Sequence, residues 1–170
     1  DLRTRAIVQG NLIGTNAAGT AAIPNGGIDY ADNAAINVGP DGAIPDPTGP
    51  SKGVVVGGTT PAARNVIAGN LGEGIRLDAA GYQVLGNLIG VDVTGTVALP
   101  NAEADIAAGV DNAGPGQIGG VEPGEANTIA HGGGAGVEVL EGAEGSGGVT
   151  VRGNRIFDHD GLAIDLDQHG

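Results

Sequence analysis

The sequence predicts an all-β protein, a right-handed, three-sided parallel β-helix of about five coils. Three observations predict it. The chain repeats itself: VQGNLIGTNAAGTAAIPN at 8–25 returns as VLGNLIGVDVTGTVALPN at 84–101, identical at 11 of 18 positions. A second phrase, at 56–77, returns at 118–139 with its Gly pair, its Pro, its Asn-x-Ile-Ala and its later Gly-x-Gly, and a relative of both spans 151–166. Self-similarity at this period means like units, each burying its apolar face against its neighbours. The second observation is an asparagine followed two residues later by isoleucine: Asn11/Ile13, Asn65/Ile67, Asn87/Ile89, Asn127/Ile129 and Asn154/Ile156. The third is punctuation. With 35 Gly and 9 Pro, no Gly-free stretch exceeds the 13 residues 96–108, and Pro100 breaks that one, so there is little room for a helix.

The elements follow from the asparagine spacing. Successive asparagines lie 54, 22, 40 and 27 residues apart. The shorter intervals suit one coil of three short strands, and the longer ones suit the same coil carrying insertions. A strand is expected before each Asn, at 5–9, 54–57, 82–85, 116–119 and 149–152. A second is expected after it, at 12–15, 66–69, 88–91, 128–131 and 155–158. A third follows another turn, at 27–30, 74–77, 104–107, 136–139 and 162–166. Short β-branched runs between glycines favour strands over disorder. The five asparagines are expected to stack as a ladder, each amide donating to the copy on one side and accepting from the copy on the other, because a buried orphan would cost about 1–3 kcal/mol. Residues 1–170 read as one domain, with insertion loops at 31–53 and 92–103 that hold Pro40, Pro45, Pro47, Pro50 and Pro100. Loops on such scaffolds carry recognition, and 31–53 is the first place to look for it.

Composition narrows the function. Seven basic and 20 acidic side chains give a formal charge of −13, which repels phosphate backbones and speaks against nucleic acid as a partner. No apolar run approaches the 18 or so residues of a membrane span. The absence of Cys removes disulfide and thiol chemistry. No signal peptide is visible ahead of Asp1-Leu2-Arg3. The core must be aliphatic, since Tyr30, Tyr82 and Phe157 are the only aromatic residues.

The phrases GN-x-IG-x-(D/N)-x-x-GT-x-A-(I/L)-PN and IGG…P…N-x-IA resemble the parallel β-helix repeat region of large secreted surface proteins of bacteria and archaea, many of which carry a CSLREA motif. The closing NRIFDHDGLAIDLDQHG is similar to a segment of that family. Here His159-Asp160 replaces its usual Asn, Ala163 replaces a Gly, and no CSLREA motif is present. The resemblance implies the fold and an extracellular or cell-surface setting, and it implies no reaction.

The expected function is therefore a non-catalytic structural or adhesive module of a surface protein or fibre, without a cofactor. Carbohydrate or another surface ligand is the expected class of outside partner. Strands 5–9 and 162–166 stand one turn apart in coil order, so one copy is expected to continue another head-to-tail into filaments. The alternative is a pectinase-like polysaccharide lyase or hydrolase. Its site would be the acidic cluster Asp158, His159, Asp160, Asp165, Asp167 and His169, where two carboxylates and a His offer acid–base chemistry. Asp158, Asp160, Asp165 and Asp167 are also hard oxygen donors for Ca²⁺, although their spacing matches neither an EF-hand nor a β-roll nonapeptide. Alternation along a strand would place Asp165 and Asp167 on one face, solvated if Leu166 points inward.

Overall fold

A computed structural model describes residues 6–26, 33–39, 53–78, 81–109, 116–140 and 148–166. Its strands lie in three parallel five-stranded sheets, each containing one strand per coil in coil order. The first sheet holds β1 (Ile7–Val8), β4 (Val55–Gly57), β7 (Gln83–Leu85), β10 (Gly116–Gly119) and β13 (Val149–Arg152). The second holds β2 (Leu12–Ile13), β5 (Val66–Ile67), β8 (Leu88–Ile89), β11 (Thr128–Ala130) and β14 (Arg155–Phe157). The third holds β3 (Ile36–Val38), β6 (Ile75–Leu77), β9 (Ile106–Gly109), β12 (Val137–Leu140) and β15 (Ile164–Asp165). The only helical element among the described residues is a single 3₁₀ turn at Pro61–Ala63. The chain is a three-sided parallel β-helix of five coils.

Parallel register puts like side chains on top of one another. Ile13, Ile67, Ile89, Ile129 and Ile156 form one inward column. Val8, Val56, Val84, Ile118 and Val151 form another. Ile36, Ile75, Ile106, Val137 and Ile164 form a third. In the three middle coils these side chains are fully buried and meet on the axis of the rod. Each contributes about 1.5–3 kcal/mol relative to exposure. That is how a core with almost no aromatic residues holds.

The asparagine ladder runs through every coil, and it has a direction. The backbone N–H and the Nδ2 of Asn11 both donate to Oδ1 of Asn65, each at 3.0 Å. Asn65 donates in the same way to Oδ1 of Asn87, at 3.2 and 3.0 Å, and Asn87 to Oδ1 of Asn127, at 2.9 and 3.1 Å. Asn127 donates to Oδ1 of Asn154 at 3.1 and 2.9 Å. The second amide hydrogen returns to a carbonyl of the preceding coil, as from Asn87 to Val56 and from Asn127 to Val84. Between one asparagine and the next, the donors therefore all point toward the last coil and the Oδ1 acceptors toward the first.

Two expectations are corrected. The third strand of the first coil is Ile36–Val38, not 27–30, so residues 33–39 of the expected 31–53 loop belong to the rod. Residues 27–32 and 40–52 lie outside the described residues. The 92–103 segment does not project as an open loop either. An antiparallel bridge between Val91 and Ala98 closes a hairpin, and Thr15 with Ala22 closes its twin in the first coil. The Asp92 carboxylate holds the turn by accepting from the N–H groups of Thr96 and Val97 and from the Thr94 hydroxyl. Each hairpin folds back over the outer face of its own second-sheet strand, Gly95 against Leu88 and Gly19 against Leu12. The two also touch, since the Val93 N–H donates to the Gly19 carbonyl. This explains the repeated phrase: its leucine is the surface covered, and its Gly-Thr is the bend that covers it.

Candidate functional site

The structure pulls the expected acidic cluster apart. Asp158 occupies a left-handed backbone conformation, φ 56°, at the bend after β14, and it is exposed. His131 takes the same conformation one coil earlier, φ 65°, and Gly69 takes it two coils before that. This bend turns the next residue toward the axis. His159 therefore points inward, its side chain 2 % exposed, while Asp160 faces solvent again. Asp165 is half-buried on the third sheet beside Glu138, and Leu166 is exposed rather than turned inward. Asp167 and His169 lie outside the described residues. Among the described residues, no group of three or more His, Cys, Asp or Glu is arranged to hold a metal ion. The carboxylates face outward and the imidazole inward, so they do not share one cleft.

What His159 does meet is Asp105. Its Nε2 lies 3.1 Å from Oδ2 of Asp105, whose side chain is fully buried. Asp105 Oδ1 in turn accepts from Nδ2 of Asn101 at 2.8 Å. These residues terminate a second ladder at the bend after the second sheet. Asn25 Nδ2 donates to Oδ1 of Asn70 at 3.1 Å, and Asn70 Nδ2 to Oδ1 of Asn101 at 2.9 Å. In the fourth coil the ladder position falls on Gly132, which has no side chain. A Cβ built there would lie 3.1 Å from the carboxyl carbon of Asp105. The aspartate thus occupies the empty rung from the neighbouring coil, and His159 is the rung beyond it.

The electrostatics of this pair are strained. Burial pushes the Asp105 carboxyl above the usual carboxylate range, and the hydrogen bonds from His159 and Asn101, with the nearby His159 and His131 rings, only partly oppose it. His159 Nδ1 is buried without a partner. The imidazole and the carboxyl share the one contact between Nε2 and Oδ2. The pair is sealed from solvent, which suits a structural rung and gives a substrate no access.

The two end layers are the other notable feature. Ile164 is 43 % exposed, although Ile75, Ile106 and Val137 in its column are at 0 %. At the opposite end, Ile7 is 57 % exposed beside Val55 at 6 %, and Leu12 is exposed above Val66 and Leu88. Apolar columns buried in the middle coils are thus more exposed in the first and last described coils. Leu162 and Leu166 add to the exposed apolar surface of the last coil.

Asn101, Asp105 and the second ladder were not anticipated from sequence. The signal was there: Pro-Asn closes both copies of the repeated phrase, and Asn70 follows Ala-Gly at the matching bend. No family model, curated protein or solved structure matches the chain.

Proposed function

We propose that this chain is a non-catalytic structural or adhesive module, a rigid β-helical rod of a surface protein. The observation that carries the reading is how the polar residues are used. Two asparagine ladders, Asp105 and the inward-facing His159 are engaged in holding coil to coil. The carboxylates with the right chemistry for acid–base work, Asp158 and Asp160, stand on the outside, turned away from that histidine. A glycosidase needs two carboxyl groups facing one bond from its two sides. The extracellular setting rests on the resemblance of the repeated phrases to secreted surface proteins. The rod presents its side faces and hairpins as contact surfaces.

The test is incubation of the purified chain with neutral and acidic polysaccharides, with and without Ca²⁺, monitoring reducing ends and unsaturated uronates. No turnover is expected. Turnover abolished by Asp158→Ala or Asp165→Ala would establish the lyase or hydrolase alternative and overturn the structural reading. Ca²⁺ titrated calorimetrically is expected to give no heat beyond weak screening of the acidic surface.

A further inference from the structure

Asn25-Gly26 is the one Asn-Gly step in the sequence. It matters because an asparagine can cyclise on its own backbone. The nitrogen of the following residue attacks the side-chain carbonyl carbon, and a side chain on that residue crowds the approach. Glycine has none and turns freely. Gly26 stands at φ 91°, and both it and Asn25 are exposed. The other ladder asparagines are placed differently. Every one is followed by a residue with a side chain, and for six of them the attacking nitrogen is also committed. The N–H groups of Val66, Leu88, Thr128 and Arg155 each donate to the ladder-asparagine carbonyl one coil earlier, at 2.9–3.0 Å. Those of Leu71 and Ala102 do the same in the second ladder, at 3.0 and 2.9 Å. A nitrogen held in this way is not free to swing onto the side chain before it. Asp160-Gly161 could close the same ring from a carboxyl group, but the Gly161 N–H is tied to the Gly134 carbonyl at 3.1 Å.

We infer that Asn25 is a site of spontaneous deamidation, and that it sets the chemical lifetime of the second ladder. The Gly26 nitrogen bonds to Cγ of Asn25 as the bond from Cγ to Nδ2 breaks, and its proton leaves with the amide nitrogen as ammonia. Water then opens the five-membered ring. Opening at the side-chain carbonyl gives aspartate, and opening at the main-chain carbonyl gives isoaspartate. Either product removes a donor from the ladder. Asn25 now donates to Oδ1 of Asn70 from its N–H at 3.4 Å and from its Nδ2 at 3.1 Å. After conversion a carboxylate oxygen faces that carbonyl oxygen, acceptor against acceptor. Isoaspartate also adds a methylene to the main chain, which moves the Asn25 carbonyl away from the Leu71 N–H that it accepts at 3.0 Å. The change therefore loosens this bend between the first and second coils, and it adds one negative charge to the formal −13. The first ladder, on a different bend, stays closed.

The test is to age the purified chain in warm, mildly alkaline buffer, with and without denaturing urea, and to follow it by isoelectric focusing, peptide mapping and NMR of the side-chain amides. In the folded chain a single more acidic band should grow, co-migrating with the Asn25→Asp variant. Peptide mapping should place the change of amide to acid at residue 25, and methylation by an isoaspartyl methyltransferase should label the same peptide. The Nδ2 signals of Asn25 should disappear in step with the band, those of Asn70 should shift, and those of Asn65, Asn87 and Asn127 should persist unmoved. Asn25→Gln, whose longer side chain would have to close a larger ring, should not form the band. In urea the committed nitrogens are released, so ladder asparagines should begin to convert behind Asn25. The inference is overturned if Asn25 stays intact in the folded chain, or if a ladder asparagine converts there as early as Asn25. A band that persists in Asn25→Gln overturns it as well. Urea that leaves the ladder positions as resistant as folding does would refute protection by the committed nitrogens.

Discussion

Because the ladder has a direction, the damage from removing a rung should fall on the coil before it. Alanine at an Asn position keeps its backbone N–H, so the acceptor of the following coil stays partly satisfied. What is lost is the Oδ1 that received two donors from the preceding coil. In Asn87→Ala those donors are the N–H and Nδ2 of Asn65, which is fully buried. Two buried orphaned donors at about 1–3 kcal/mol each come to about 4 kcal/mol. In Asn65→Ala the stranded donors belong to Asn11, which is exposed and can turn to water. Both variants leave a similar void and free one carbonyl, Val56 in the first case and Val8 in the second. The difference between them therefore isolates the orphaned donors, and Asn87→Ala should be the worse by at least about 2 kcal/mol. Urea unfolding followed by circular dichroism measures this, provided the slopes match so that midpoints compare directly. The reasoning is refuted if Asn65→Ala costs as much as Asn87→Ala, since Asn65 itself is no less buried.

Other outcomes follow from the same contacts. The Asp105 carboxyl is raised above its unfolded value, mainly by desolvation, so its contribution to stability is full at low pH and is lost as pH rises through the folded value. Asp105→Asn keeps the acceptor for Asn101 and removes the buried charge. It should match or exceed the wild type in melting temperature near pH 8, with the gap closing toward pH 4, whereas Asp105→Ala should lose stability throughout that range. Gly116→Ala would drive a Cβ into the ring of Tyr82, which is 2 % exposed and cannot swing aside. That should cost about 1–3 kcal/mol, while Gly148→Ala, with nothing within 4 Å, should be neutral in the same thermal melts.

Much of the fold was legible because a solenoid writes its register into the sequence. The Asn-x-Ile pairs located both strands that flank the ladder in every coil, since the bend that buries the amide also fixes the isoleucine facing inward two residues on. The third strand of the first coil was misplaced because its position depends on how the chain returns after the Thr15–Ala22 hairpin, and no repeated residue marks that return. The hairpin within 92–103 was read as a projecting loop because its Gly95 and Pro100 look like loop chemistry. Only the structure shows that it lies on Leu88 and its twin on Leu12. For the site, sequence proximity misled. Asp158, His159 and Asp160 are neighbours in the chain, but a left-handed residue at 158 sends the histidine inward and its neighbours out. The partner it meets is 54 residues away, reached because Gly132 leaves a rung empty. Pairings that depend on a missing side chain in a third residue leave no local pattern to read.

The most direct test of a rod held by continuous, one-directional ladders is hydrogen exchange of the asparagine side-chain amides, resolved by NMR in a labelled chain. Asn65, Asn87 and Asn127 in the first ladder, and Asn70 and Asn101 in the second, should exchange slowly, because all five are buried, Asn70 donates to Asn101 and the other four have both amide hydrogens bonded. Asn11 and Asn25, at the exposed start of each ladder, should exchange markedly faster. Uniformly fast exchange at all of them, in a chain that retains its β signature, would contradict the ladders as the structure's backbone of polar support.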